Sequence, residues 1–290
     1  MIKAIINLIK PDHFVKNLFV MLPLFFAGQF TESDLVFQVL IAFGAFCLMA
    51  ASVYVFNDIH DVTEDRKHPQ KKMRPIAAGL ITPAFAYLLD FIFTIAALAV
   101  AYLVNMQLVW VLLIYKGLNI LYTLVFKSIA ILDVMILSLG FVLRLYAGAV
   151  STGVVLSVWI IVMTFLLSLL IVLGKRRTDV IFFEENNVIL RKVVNGYNSV
   201  FLNNIMVMLS SIIVVAYIMY TVAPESIARM NTEYLFVTVF WVIAGILRYL
   251  QLLFVKHEKD SPVRLLLKDH PLKLILLLWG LNFVYFRYLM

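Results

Sequence analysis

Apolar runs of about 20 residues recur along this chain, with short polar stretches between them, and a run of that length is what an α-helix needs to cross the hydrocarbon core of a bilayer. The pattern predicts nine spans, near 14–30, 35–56, 83–104, 107–126, 129–150, 154–173, 201–222, 233–255 and 272–290. The first is the weakest, being short and interrupted by Pro23. Strands of a membrane barrel would alternate polar and apolar positions, whereas the run 35–56 is apolar nearly throughout, so the predicted fold class is all-α. Ahead of the spans, Ile2 to Ile9 reads as a short amphipathic helix lying in the interface. It is too short for a secretory signal and has no small-residue cleavage site, so insertion should rely on the spans themselves.

Composition agrees with the pattern. With 63% hydrophobic and 14% charged residues and a mean hydropathy of +0.99, a water-soluble globule is excluded. The 290 residues suffice for about nine helices with short loops, which predicts a single transmembrane domain over 1–290. Cys47, the one cysteine, lies inside an apolar run and reads as a small buried hydrophobe. The net charge of +7 is distributed unevenly. In an alternating nine-span model, nineteen of the 24 basic residues fall on one side, in loops 57–82, 174–200 and 256–271, at Lys273 just beyond the last loop, and near Lys3, Lys10, Lys16 and Lys127. Lys and Arg accumulate in short cytoplasmic loops, so the amino terminus and these loops are predicted to be cytoplasmic and the carboxyl terminus outside, in the cell (plasma or inner) membrane. The basic loops then form a polar cap over a membrane cavity. Attraction to anionic headgroups, worth about 1 kcal/mol per basic residue, would use the same side chains. No nucleic-acid partner is expected.

Residues 57–79, NDIHDVTEDRKHPQKKMRPIAAG, concentrate four acids and five bases. Asn57, Asp58, Asp61 and Asp65 stand at i, i+1, i+4 and i+8, so on a helix their oxygens project from one side and converge. Such a set suits a hard cation, and Mg²⁺ is usually held by one or two carboxylates plus substrate phosphates. The bases that follow, including Lys71 and Arg74, would meet those phosphates, on a loop enforced by Pro69 and Pro75. The plainer alternative is a solvated loop that separates two spans. Inside the spans, Asp90, Lys116, Asn119 and Arg144 are costly unless they face a partner or a wet cavity. Asp90 and Lys116 differ in depth by about 5 Å on neighbouring antiparallel helices, which predicts a structural ion pair. Arg144 lies too deep to reach the cytoplasmic face and is expected to line the cavity. Tyr122, Lys127 and Asp133 cluster at the cytoplasmic mouth of the fourth and fifth spans, where interface anchoring also explains Tyr and Lys.

The loop after the sixth span reads GKRRTDVIFFEENNVILRKVVNGYN. Lys175, Arg176 and Arg177 form a dense anion site, Asp179 is within reach of a metal, and Arg191 with Lys192 adds a second phosphate contact. A positive cluster that only stops transfer is the alternative. The chain contains no Walker-type glycine loop, HExxH motif or nucleophile elbow.

NDxxDxxxD followed by HPxKxxRPI, carried by Asn57, Asp58, Asp61, Asp65, His68, Pro69, Lys71, Arg74, Pro75 and Ile76, resembles the first signature of the UbiA superfamily of intramembrane prenyltransferases. Aromatic prenyltransferases of that superfamily carry a second motif, DxxxD, after the sixth helix. Here Asp179 is followed four positions later by Phe183, and KRxxD (Lys175, Arg176, Asp179) is similar to the decaprenyl-phosphate phosphoribosyltransferase branch. KPDHFVKN at 10–17, YTLVFKSIAILDV at 122–134, GFVLRLYAGA at 140–149 and LKDHPL at 267–272 extend the resemblance over nearly the full length.

The resemblance implies a bundle of about nine helices and Mg²⁺-dependent transfer of 5-phosphoribosyl from 5-phosphoribosyl 1-diphosphate (PRPP) to a polyprenyl phosphate, with release of diphosphate. Asp58 and Asp61, helped by Asn57 and Asp65, would hold the metal, and Lys175 and Arg176 would neutralise phosphate charge. Lys16, Asn17, Tyr122, Lys127, Asp133 and Arg144 carry over as substrate-site positions. The alternative within the superfamily is transfer of a polyprenyl group from its diphosphate to an aromatic or lipid acceptor; a transporter or lipid-binding protein is the non-enzymatic one. Neither polyprenol length nor oligomeric state, a homo-oligomer included, is fixed at this level.

Overall fold

The computed structural model describes residues 1–67, 71–186, 191–256, 258, 265 and 268–288; His68, Pro69, Lys259, Arg264 and Leu267 lie outside the described residues. All regular structure among the described residues is helical, and it forms two compact units, Met1–Leu156 and Ser157–Met290.

In the first unit, α1 (Ile2–Ile9) leads into a 3₁₀ helix, Pro11–Met21, and the short α2 (Leu22–Ala27). These are followed by α3 (Ser33–His60), α4 (Val62–Lys67), α5 (Pro83–Val104), α6 (Met106–Leu124) and α7 (Leu132–Thr152). Local chemistry sets the boundaries. Thr82 caps α5 through the Phe85 amide, with Pro83 in the first turn, and Asn105 caps α6 through the Leu108 amide at 2.8 Å. Asn105 is the only residue between α5 and α6, and its amide also donates to the Val150 carbonyl at 2.7 Å. α3 packs along α5, α6 and α7, burying Phe46, Met49, Leu108 and Leu112. A second cluster, Leu8, Val55, Ile59, Ile76, Ile81 and Leu89, fastens α1 and the 74–81 turn to the polar end of α3.

The second unit contains α8 (Val158–Asn186), α9 (Ser199–Val222), α10 (Pro224–Met230), α11 (Val239–Phe254) and α12 (His270–Tyr288). The Tyr217 hydroxyl joins Thr238 and the Trp279 indole, each at 2.8 Å, tying α9 to α12 and to the turn before α11. Arg248 grips Asp269 in a bidentate pair, and Asp269 caps α12 through the Leu272 amide.

Seven helices among the described residues are long and apolar enough to cross a membrane, rather than the nine predicted. Two predicted spans account for the difference. The run 14–30 is 3₁₀ helix and then six residues of α-helix, because Pro23 interrupts the α-helical ladder and Gly28, at φ +67°, ends it. This segment packs so closely on α7 that a Cβ on Gly148 would lie 1.8 Å from the Val20 carbonyl oxygen. The last helix, α12, has its apolar run diluted by Lys273, Asn282 and Arg287. Along α5 and α6, Phe91, Ile95, Leu103, Trp110, Ile114 and Leu121 stay exposed, as suits surfaces solvated by lipid.

α3 has 28 residues and α8 has 29, so each is about 42 Å long, well beyond a hydrocarbon core of about 30 Å. Both helices are therefore long enough to carry polar side chains beyond the lipid on rigid backbone. The candidate chemistry sits on these overhangs.

Candidate functional site

A polar cluster of the first unit lies at the polar end of α3. Helical hydrogen bonds run through it, from the Asp61 amide to Asn57 O at 2.9 Å and from the Asp65 amide to Asp61 O at 2.8 Å. The helix kinks between them at Asp61, whose φ and ψ are −89° and 0°. The spacing read from the sequence thus persists across the kink, and Asp58 and Asp65 are both buried.

Each carboxylate is met by a cation. Asp58 Oδ1 accepts from Lys10 at 2.8 Å and from Arg74 at 2.9 Å, and Arg74 also donates to Asp65 at 2.7 Å. Asp61 pairs with Lys127 at 2.6 Å, and Asn57 accepts from the Thr123 hydroxyl. Arg74 owes its place to the following turn, where the Ala78 amide bonds to Arg74 O, Gly79 adopts φ +75°, and Ile76 and Ile81 are buried. Burial pushes the Asp65 carboxyl up from its ordinary range while Arg74 pulls it down, and burial lowers the Lys10 ammonium against the pull of Asp58. Lys71, half-buried, acts on Asp65 through its charge.

Asp58 Oδ2 is buried without a hydrogen-bond partner among the described residues. Such an oxygen costs about 1–3 kcal/mol, more when charged, so it marks a place for a cation. No three Asp, Glu, His or Cys side chains among the described residues are gathered closely enough to chelate a metal by themselves. The donor set fits Mg²⁺ in its usual manner, on one or two carboxylates with the remaining oxygens supplied by water and a bound phosphate.

Around this group, Tyr122 is buried on α6 one position before Thr123. Asp133, fully buried, sits in the first turn of α7, where the helix dipole favours negative charge. Ile131, just before it, adopts φ +71°, a strained conformation for a β-branched residue. Deeper in the unit, Arg144 is enclosed. It donates to Asn17 at 2.9 Å, Gly140 O at 2.7 Å and the Tyr115 hydroxyl at 3.0 Å, with Phe46, Tyr115 and Phe141 rings 5.0 to 5.2 Å away. Asn17 in turn donates to Cys47 Sγ at 3.2 Å. The three Arg144 bonds use three of its five guanidinium N–H donors. Lys16, half-buried on the 3₁₀ helix, has no hydrogen-bond partner among the described residues. Asp90 and Lys116 pair at 2.8 Å as expected, and Ser52 and Thr94 complete a polar clasp around them.

A separate polar cluster lies in the second unit. The segment 174–186, expected as loop, continues α8 to Asn186. Helical spacing places Arg176 and Asp179 on one face, with Arg176 donating to Asp179 Oδ2 at 3.0 Å, and Arg191 reaches the same oxygen at 3.1 Å. Asp179 is thus held between two guanidinium groups. Lys175 is exposed, whereas Arg176 is buried. Arg177 turns elsewhere: it donates to Asn203 at 2.6 Å and to Leu253 O at 2.8 Å and stacks on Phe254. It therefore caps the carboxyl end of α11 and leaves the anion cluster. Glu184 accepts from the Ser199 amide at 3.1 Å at the start of α9.

Sequence reading missed Lys10 and Thr123 as members of the site. Lys10 stood in the charge tally only as a topology marker; its position between an interfacial helix and Pro11 was the available signal. Thr123 left none.

A model of the UbiA prenyltransferase family matches residues 17–281. A decaprenyl-phosphate phosphoribosyltransferase of Mycolicibacterium smegmatis is 30% identical over 292 aligned positions, covering 96% of this chain and 91% of the relative. One from Mycobacterium tuberculosis is 30% identical over 221 positions, covering 75% and 73%. A UbiA homolog from Archaeoglobus fulgidus, solved with DMAPP and Mg²⁺, superposes with a TM-score of 0.70 over 99% of this chain and 100% of its own, at 20% identity.

Proposed function

This chain belongs to the UbiA prenyltransferase family, which makes it a transferase, and we propose that it moves 5-phosphoribosyl from PRPP onto a long-chain polyprenyl phosphate, releasing diphosphate. The observation that carries this reading is Asp179. Held between Arg176 and Arg191, it belongs to an anion-binding cluster, where an aromatic prenyltransferase would place a second pair of metal-binding carboxylates. The relatives named as decaprenyl-phosphate phosphoribosyltransferases support the same branch.

In this reading Asp58 and Asp61, with Asn57 and Asp65, hold Mg²⁺, and the unpartnered Oδ2 of Asp58 is the oxygen best prepared for it. When bound, the metal neutralises charge on the diphosphate as its bond to the ribosyl C1 lengthens. Lys71 and Arg74 take diphosphate oxygens. Lys175 and Arg176, with Arg191, take phosphate charge, and Asp179 orients the two guanidinium groups. The lipid phosphate attacks C1 with an oxygen already ionised at neutral pH, so no general base is required, and the work is positioning and charge stabilisation. Lys16, Asn17, Tyr122, Lys127 and Asp133 complete the substrate site, with Arg144 acting through Asn17. Three phosphate-bearing groups meet in this reaction, which accounts for the surplus of bases over a prenyl transfer. The mouth of the site faces the cytoplasm from the cell membrane, with the carboxyl terminus outside.

The test is diphosphate release by detergent-purified protein with Mg²⁺, supplied either with PRPP and polyprenyl phosphate or with polyprenyl diphosphate and 4-hydroxybenzoate. A polyprenyl-phosphoryl-ribose 5-phosphate, identified by mass spectrometry from the first mixture only, is the expected product. Product from the second mixture alone would assign prenyl transfer instead.

A further inference from the structure

Lys10 opens the stretch KPDHFVKN but lies outside the aspartate motif, and its ammonium lies 2.8 Å from Asp58 Oδ1, with only 16% of the side chain exposed. Three features hold it there. α1 ends on Lys10 in the left-handed conformation, φ +51° and ψ 64°, which residues other than Gly, Asn and Asp seldom adopt. Leu8, two positions earlier, is fully buried against the cluster containing Ile59, beside Asp58 on α3. The Tyr54 ring lies 5.5 Å from the ammonium, a cation–π distance.

Asp58 Oδ1 carries two cations while Oδ2 carries none. The two cations differ. Arg74 is also bonded to Asp65 and stands in a turn pinned by Ile76 and Ile81. Lys10 has Asp58 as its one ion-pair partner among the described residues and hangs on a flexible four-carbon stem. A divalent ion arriving at Asp58 repels both charges, and Lys10 is the one free to turn. From its anchored Cα it stays within side-chain reach of anything that ion carries.

We infer that Lys10 is a movable phosphate ligand: it rests on Asp58 until a metal takes that carboxylate, then turns to the diphosphate oxygens that the metal brings. This rests on the reading of Asp58 as a metal ligand and not on which group is transferred. Lys10 therefore competes with bare metal and cooperates with metal diphosphate.

The full-length protein in detergent is titrated with Mn²⁺ alone, followed by electron paramagnetic resonance, and with inorganic diphosphate in saturating Mg²⁺, followed by calorimetry. Lys10→Met should tighten Mn²⁺ binding several-fold and weaken diphosphate binding about ten-fold, the size of one lost charge-assisted contact. Lys10→Arg should keep diphosphate binding and weaken Mn²⁺ binding, because a guanidinium grips a carboxylate more firmly. The arginine variant alone decides the matter if the methionine variant does not fold. Both affinities unchanged, or both falling together with the melting temperature, would mean that Lys10 is a strut and overturn the inference. Unchanged Mn²⁺ binding in Asp58→Ala would overturn it as well. If wild-type protein fails to convert PRPP while both titrations respond as stated, the phosphoribosyl reading falls and Lys10 keeps its role.

Discussion

The polar overhangs of α3 and α8 solve opposite electrostatic problems with the same residue types. At the polar end of α3 and the start of α4, Asp58, Asp61 and Asp65 share Lys10, Arg74 and Lys127, and one carboxylate oxygen of Asp58 is buried and unmatched among the described residues. On α8, one carboxylate is shared by Arg176 and Arg191 beside the exposed Lys175. The first arrangement balances its charges but leaves one carboxylate oxygen unmatched, and the second has positive charge in excess. Pairing alone therefore says little about function: under the proposed reading an Asp–Arg contact in one place would reserve a cation site, and in the other it would aim two guanidinium groups at an anion.

The largest expected effect comes from removing a carboxylate on α3. Asp61→Ala should reduce Mg²⁺-dependent turnover by about a thousand-fold, comparable to losing a principal transition-state contact. Retained activity, or activity indifferent to metal chelation, would erase the contrast between the two overhangs. Arg176→Ala should reduce kcat/KM about a hundred-fold, with Arg176→Lys recovering only part of it, because a lysine does not reproduce the planar fork. Asp179→Asn is the sharpest discriminator. If Asp179 only orients arginines, its loss should cost about ten-fold, mainly in KM, the scale of removing an outer partner. A loss as large as that of Asp61→Ala would make it a metal ligand and bring the two overhangs into one chemical class.

The smallest effect serves as a control. Arg248 and Asp269 form a bidentate pair at the entry to α12, and among the described residues neither forms an ion pair with a charged residue of the two overhangs. The hydrogen bond from Arg248 holds the Asp269 carboxyl below the ordinary range. A carboxyl depressed in the folded state stabilises above its unfolded pKa of about 3.9, and that contribution is lost as pH falls through the folded value. Asp269→Asn should therefore lower the melting temperature only slightly at pH 7, by less than about 1 kcal/mol of stability, and the difference should narrow as the pH falls below about 3.9. Kinetic constants should not change.

How much of this was legible beforehand depended on whether it was local. The helical register of Asn57, Asp58, Asp61 and Asp65 follows from their spacing, although their three carboxylates do not gather closely enough to chelate a metal by themselves, and the Asp90–Lys116 pair follows from depth on adjacent antiparallel helices. Apolar patterning located seven long helices but ended α8 at Leu173, because it detects where lipid contact stops and not where the hydrogen-bond ladder stops. The same limit made Arg177 look like one more member of a basic run. Its partners Asn203 and Leu253 come from other helices and leave no trace at short range. The segment 14–30 was legible in part: Pro23 marked it as the weakest span, but its close approach to Gly148 on α7 is a long-range contact that hydropathy does not register.

The clasp of Ser52, Asp90, Thr94 and Lys116 also bears on biogenesis. Delivered singly into a bilayer, α5 would present an unmatched acid and α6 an unmatched base, each costing about 2.5–3.5 kcal/mol near the middle of a helix on a translocon scale. A single residue, Asn105, separates the two helices, so Lys116 can meet Asp90 as soon as the second helix leaves the ribosome. Nascent α5 and α6 thus gain by leaving the translocon as one hairpin, its charges already cancelled, and the clasp sets the order of assembly before it contributes to the finished bundle.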